Sequence, residues 1–499
     1  MRKRIRLRHV QLMVVVLGLL VPQVVWAGNY TSDPLVQVSS VTPFASNCGT
    51  AGQEGTLYLN SEVEPWVDVN PADSDNIVGS WQQDRWSNGG ARGLVAGVSF
   101  DGGDNWTESV IPGISECSGG TYERASDPWL SFSPDGSLHH VSLSFNFFRN
   151  LDNAILVNKS EDGGITWSAP KTIKLDTRAT MFNDKESITA DPNDSDFVYV
   201  VWDRLVFPSE RAAPPASLFT RAFLGPTWFA RSTDGGETYE RARPIFDPGR
   251  NNQTIGNQIV VQPDGTLFDF FNLIHSTRRA SLRGFFVAYL TSENHGRTWS
   301  GPQRVARMVD PFVYDPETDD PVRTGDIIPE VAVDPTDGDL YVVWQDKRFG
   351  DGTFDSIALS ASTDGGQTWS APEKVNFTPT NIPPGNQQAF TASVDVDDAG
   401  NVAITYYDFR NNTSDPNTLP TDYFIIHCHA ASDCSDPDNY EDEIRLTDQS
   451  FDMRKAPFAR GFFTGDYEGL ANEGLDFTPF VSLTHGSDPS SVFFTRVGP

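Results

Sequence analysis

The chain has 499 residues, with 37 basic and 67 acidic side chains and a formal net charge of −30. Such a surface repels nucleic acid and anionic membranes, and it meets an anionic glycan favourably only where arginines reverse the field in one cleft. The four cysteines show neither Cys-x-x-Cys nor His-rich spacing, which argues against a structural zinc site.

The N-terminus reads as a targeting segment. Arg2, Lys3, Arg4, Arg6 and Arg8 precede an apolar run from Val10 to Trp26 that Pro22 interrupts, and small residues follow at Ala27 and Gly28. This is the pattern of a signal peptide over 1–27, with 28–499 as the mature domain; an uncleaved membrane anchor is the rival reading. No other apolar stretch is long enough to span a bilayer. Export to the periplasm or the extracellular medium makes disulfides expected. Cys428 and Cys434 are close in sequence and pair in this reading, which leaves Cys48 for Cys117.

Along the mature chain one phrase recurs: "SFDGGDNW" at Ser99, "SEDGGITW" at Ser160, "STDGGETY" at Ser232, "SENHGRTW" at Ser292 and "STDGGQTW" at Ser362. Its central Asp or Asn returns at intervals of 60 to 72 residues, which suits a four-stranded unit with one variable loop. First strands are expected near Pro65, Pro128, Ser187, Gln258, Glu330 and Phe390. Each is followed by a turn rich in Asp, Asn, Pro and Gly, such as "NPADSD" or "DPTDGD". A further unit is fainter: "GDYEGLA", "FTPFVSLTHG" and "SSVFFTRV" supply three strands, and Pro34–Val41 supplies the missing outer one. No segment sustains a helical period. The expectation is an all-β fold, a single β-propeller of four-stranded antiparallel blades, seven in number, with six as the alternative.

The repeated phrase falls at the turn between third and fourth strands. Its Ser and Asp can accept turn N–H groups, its glycines permit positive φ, and its Trp can pack between neighbouring sheets. Asn294 replaces the Asp in one copy, which capping tolerates and carboxylate catalysis does not. The phrase is therefore read as scaffold. Alternation of strand direction places the chemistry at the opposite face, just before first strands and just after second ones.

That face is charged. Its candidates are Glu64, Arg124 with Asp127, Asp184–Lys185–Glu186, Glu330 and Asp466–Tyr467–Glu468 before first strands. After second strands come Asp84–Arg85, Arg149, Asp203–Arg204, His275, Asp346–Lys347–Arg348 and Asp408 with Arg410. A carboxyl group with a raised pKa can protonate a leaving oxygen, and a second carboxylate, or a Tyr beside one, can stabilise the sugar cation. Arginines grip a sugar carboxylate through paired charge-assisted hydrogen bonds. The catalytic candidates are Tyr467, Glu468, Asp127 and Glu330; the substrate-binding candidates are Arg85, Arg124, Arg348 and Arg410. No cofactor is required. The acidic rim is compatible with Ca2+, but no D-x-D-x-D-G loop of the needed spacing occurs.

The phrase S-x-D-x-G-x-T-W resembles the Asp box, or BNR repeat, of the sialidase superfamily. The resemblance spans 99–369 and implies a propeller, an arginine triad on a sugar carboxylate, a Tyr–Glu nucleophilic pair and an Asp acid/base. Carried onto this chain, these are Tyr467 with Glu468, the arginines at 85, 124, 348 and 410, and Asp127 or Asp84. Where sialidases carry Arg-Ile-Pro, this chain reads "EPWVDV". The expected function is a secreted, monomeric, sialidase-like glycoside hydrolase acting on an acidic sugar. The alternatives are a non-catalytic propeller binding glycan or protein, and a lyase on uronate polymers with Tyr or His275 as base.

Overall fold

The computed structural model describes residues 30–147, 150–209, 224–276, 283–309 and 311–499. The signal segment expected over 1–27 and the candidate Arg149 lie outside the described residues. Within them the chain is β-strand, with short 3-10 turns beside the strands. Consecutive strands form four-stranded antiparallel groups over 62–110, 124–176, 181–246, 252–308, 330–374 and 389–445. A last group, Gly469–Glu473, Asp476–His485 and Asp488–Phe494, takes its outer strand from the other end of the chain. Val36 pairs with Phe494 and Gln37 with Phe493, within the stretch expected for that role. Thr31–Ser32 also pairs with Val497–Gly498.

The first strand of each group packs on the first strand of the next, and Gly469–Glu473 returns to Glu62–Val69. The circuit closes, so the sheets are the blades of a β-propeller. Central strands such as Leu340–Asp346 are buried along their whole length because both faces meet neighbouring sheets.

The repeated phrase is what joins sheet to sheet. In all five copies the Ser hydroxyl bonds the residue two positions on (2.8–3.1 Å) and accepts the N–H of the glycine four positions on (2.8–2.9 Å). The central Asp accepts the N–H four positions further on, and three copies add a Thr hydroxyl at 2.6 Å. Asn294 keeps the backbone bond and turns its amide N–H toward Thr298 Oγ1 at 2.8 Å. The aromatic residue leans back on the preceding sheet: Trp369 on Phe270 and Tyr289, Trp299 on Phe229, and Trp106 across the closure on Phe480 and Phe494.

The inner strands share a second repeat. In five of them the pairing with the second strand skips, between Val63 and Trp66, Ser126 and Trp129, Asp184 and Ser187, Ile255 and Gln258, and Phe390 and Ser393. Each skip contains a residue with positive φ: Glu64 (54°), Asp127 (51°), Lys185 (50°), Gly256 (69°) and Thr391 (47°). Four of these carry a Cβ and are held there at a cost of about 1–3 kcal/mol each. A β-bulge re-aims side chains, and three successive strands use it for a charged residue.

Trp369→Ala is expected to cost about 3 kcal/mol in chemical denaturation, since it empties a contact between two sheets. Asp364→Asn should leave the thermal midpoint nearly unchanged, as Asn294 shows the amide fits, whereas Asp364→Ala should lower it.

Candidate functional site

Strand direction separates the Asp boxes from the site. Gly284–Ser292 begins at a cavity wall and ends at an Asp box, about 26 Å away at the usual rise per residue. The cavity, about 730 Å3, lies at the far face, around the starts of strands 252–261 and 284–292, the ends of 267–275 and 303–308, and the links that enter 330–333 and 469–473.

At its inner end Lys185 is the common partner of three carboxylates brought by three other segments. Its Nζ lies 2.9 Å from Glu64 Oε1, 2.8 Å from Asp127 Oδ1 and 2.8 Å from Asp466 Oδ2. Glu64, Asp127 and Lys185 are the bulge residues of consecutive inner strands, so the strained backbone is what aims them at one point. Arg323 forks onto Asp466, with Nε 2.9 Å from Oδ1 and Nη2 on Oδ2. Arg85 and Arg323 both stand over the Phe463 ring, at 5.0 and 4.2 Å.

The wall holding Arg323 and Asp466 comes from a small sheet built of inter-blade links. Val313–Tyr314 pairs with Pro321–Arg323, which runs parallel to Phe462–Phe463. Beyond that pairing the two links repeat one tripeptide, Thr324-Gly325-Asp326 and Thr464-Gly465-Asp466, in matching register. They touch so closely that a Cβ on Gly325 would sit 1.9 Å from the Asp466 carbonyl oxygen. Asp326 lines the cavity beside Arg323 and Arg460.

The two aspartates are driven apart in acidity. Burial works to raise the Asp466 pKa, but Arg323 and Lys185 outweigh it and hold the carboxyl well below the usual range. Burial, with Asp466 adding to it, pushes Asp326 up to about 7. Burial also pushes Glu64 up to about 8, against the pull of Lys185. Lys185 is held charged: burial lowers its pKa, and the carboxylates raise it further.

Of the residues expected from the sequence, the structure brings Asp127 and Arg85 to this cluster. Burial lowers the Arg85 pKa to about 10. Tyr467 borders it from below, its ring 5.2 Å from Lys185 Nζ, but its hydroxyl donates to the Pro128 carbonyl at 2.9 Å and it is 3% exposed. Glu468 points elsewhere and accepts the Ser482 N–H at 2.9 Å. Glu330 is buried in its strand, and burial pushes its pKa up to about 8. Arg124 is enclosed between Trp86 and Phe147 and bonds Gln53 and Asn88. Arg348 forks onto Asp346, and Arg410 bonds Asp408 and Glu443. Asp84 pairs with Arg92 at 3.0 Å rather than with its neighbour Arg85. His275 lines the cavity.

Arg323, Asp326 and Arg460 were not legible as candidates, because they lie in links rather than at strand ends. The duplicated Thr-Gly-Asp was the signal that could have found Asp326, with Arg323 directly before its first copy. Both expected disulfides are present, Cys48–Cys117 and Cys428–Cys434. No helix among the described residues is long and apolar enough to cross a membrane.

A family model for the BNR/Asp-box repeat matches residues 361–371, the fifth copy of the phrase. The match covers that one copy of the phrase. No curated protein matches the sequence. Among solved structures, a Dyadobacter fermentans protein of unknown function is 15% identical, with 94% of this chain and 99% of that one covered and a TM-score of 0.49. A Hadza microbial sialidase is 16% identical over 86% of this chain and 75% of its own, TM-score 0.46. An α-L-arabinanase of Penicillium chrysogenum, complexed with arabinobiose, is 15% identical over 75% and 94%, TM-score 0.45.

Two outcomes follow from the buried charges. Lys185→Met leaves three buried carboxylates without their shared cation and should cost about 3–5 kcal/mol in urea denaturation. The pH dependence should peak on the acid side. Glu64 and Glu330, near 8, and Asp68, Asp203, Asp326 and Asp355, near 7, all have raised folded-state pKa values because burial penalises their charged forms. The folded chain therefore binds more protons than the unfolded one between about pH 4 and 8, and stability falls as pH rises through that window. Asp466 has the opposite sign, and its contribution is lost as pH drops below about 4. The thermal midpoint should rise from pH 8 to about 5 and fall below 4; a steady climb from 5 to 8 would contradict the assignment.

Proposed function

We propose that this is an exported seven-bladed Asp-box propeller that binds an acidic sugar in the axial cavity and hydrolyses its glycosidic bond. The seven groups of four strands, the last completed by Val36–Gln37, support the blade count. The disulfides support an oxidising destination. The observation that carries the chemistry is the paired aspartates of the twin Thr-Gly-Asp links. Opposite shifts of two neighbouring carboxyl groups mark an acid and a permanent anion. Asp326, protonated near neutrality, is placed to give its proton to the leaving oxygen. Asp466 stays ionised and fixes Arg323 in the wall. Arg323, Arg460 and Arg283 line the cavity and give it the positive charge that attracts a sugar carboxylate. In this reading Asp127 and Arg85 belong to the base of the site and Tyr467 packs against it, while Glu468 lies outside it.

A second reading, binding without turnover, is favoured by the way Arg348 and Arg410 are consumed by neighbouring carboxylates. A fluorogenic sialoside and a fluorogenic glucuronide separate the two. Release by the wild-type protein, reduced at least about 100-fold in Asp326→Asn while the free sugar acid still binds, supports hydrolysis. Binding with no release supports the second reading. A product with a new ultraviolet-absorbing double bond would instead show elimination, with His275 at the cavity wall as the base to test.

A further inference from the structure

The arginine count along the chain is uneven in a way the cavity alone does not explain. From His275 to Met308 the sequence carries six arginines and one acidic residue, Glu293, in a chain where acids outnumber bases 67 to 37. Two of these arginines, Arg304 and Arg307, lie on the strand Gln303–Met308 that edges the cavity mouth, and both are exposed. Arg307 itself lines the cavity. Arg304 lies 4.0 Å over the Phe286 ring, with Nη2 3.4 Å from Nδ1 of the cavity residue His275. On the other side, Lys347 of the next blade stands 5.4 Å over the ring of Phe312, another cavity residue that is 46% exposed.

Arg304, Arg307 and Lys347 form no ion pair among the described residues, whereas the neighbouring Arg348 is held by Asp346. Stacking on a ring fixes each of the two outer cations without neutralising it. Lys347 acts electrostatically on Asp355 and Asp326 without pairing with either, and cations that hold no ion pair at the mouth of a cavity, in a protein otherwise strongly acidic, attract further negative charge beyond the group inside.

We propose that this strip is a docking track for a polyanionic polysaccharide: the terminal acidic sugar enters the cavity, and Arg304 and Lys347 take acidic groups of the residues that follow. The proposal rests on the reading of the cavity as an acidic-sugar site and narrows its substrate from a single acid to a chain of them. A surface whose charge merely aids solubility would show no dependence on chain length.

The test uses the full chain with sialic acid and galacturonic acid as monomers, trimers and hexamers, titrated at low and at physiological salt. In at least one series the hexamer should bind at least about tenfold more tightly than the monomer, with the difference shrinking as salt rises. Arg304→Gln/Lys347→Gln should remove that difference and leave monomer binding unchanged; Arg304→Lys/Lys347→Arg, which keeps the charges, should preserve it. Equal affinity for monomer and hexamer in both series overturns the track, as does a length dependence that survives the double Gln variant with an unaltered thermal midpoint. Equal retention of duplex DNA or phosphatidylserine vesicles overturns the choice of a glycan as occupant. Failure of the cavity reading looks different: monomer binding is absent or is untouched by Arg323→Gln, whatever the hexamer does.

Discussion

A single buried ammonium joins parts of this molecule that are far apart in sequence. Lys185 draws Glu64 and Asp127 from two neighbouring inner strands and Asp466 from the link into the last blade. Taking several charges out of water is unfavourable unless each finds a partner, and here the pairing is complete only when the wheel is closed. Closure therefore fixes the arrangement at the axis. The bulges that aim these side chains cost backbone energy, which is recovered only where the three carboxylates meet the cation.

The two faces follow from the same alternation of strand direction but do different work. At one face the Asp boxes satisfy their own turn N–H groups, so Asp101, Asp162, Asp234 and Asp364 have no spare capacity for chemistry. At the other face the links are longer and carry uneven charge. They also pair with one another, since Pro321–Arg323 and Phe462–Phe463 form parallel bridges across the entrance of an intervening blade. That cross-link holds Arg323 and Asp326 rigid against the cavity, the condition for a preorganised binding wall.

Much of the wheel could be read directly from residues. Asp-Pro and Asp-Gly turns, the recurring Trp and the faint C-terminal strands placed the sheets, and the stretch Pro34–Val41 supplied the outer strand near the chain's beginning. The site was legible only by face. Alternation of strands gives a polarity but not a direction for each side chain. Arg348 and Arg410 stood at the right ends of their strands and turned to their own Asp neighbours. The bulges were invisible because Glu64, Asp127 and Lys185 are not glycines, and nothing in their spacing announces a positive φ. Arg323 and Arg460 escaped because links between blades have no periodicity to read.

The tie between the two ends of the chain has a bearing on how the molecule comes into being. Its last sheet needs the strand Val36–Gln37, so a growing polypeptide can build blades one after another yet cannot lock them until translation has reached Phe494. Before then Trp106 of the first blade has no Phe480 or Phe494 to lean on, and Lys185 lacks Asp466. Until that sheet is in place the wheel is an open arc with an uncovered face at each end.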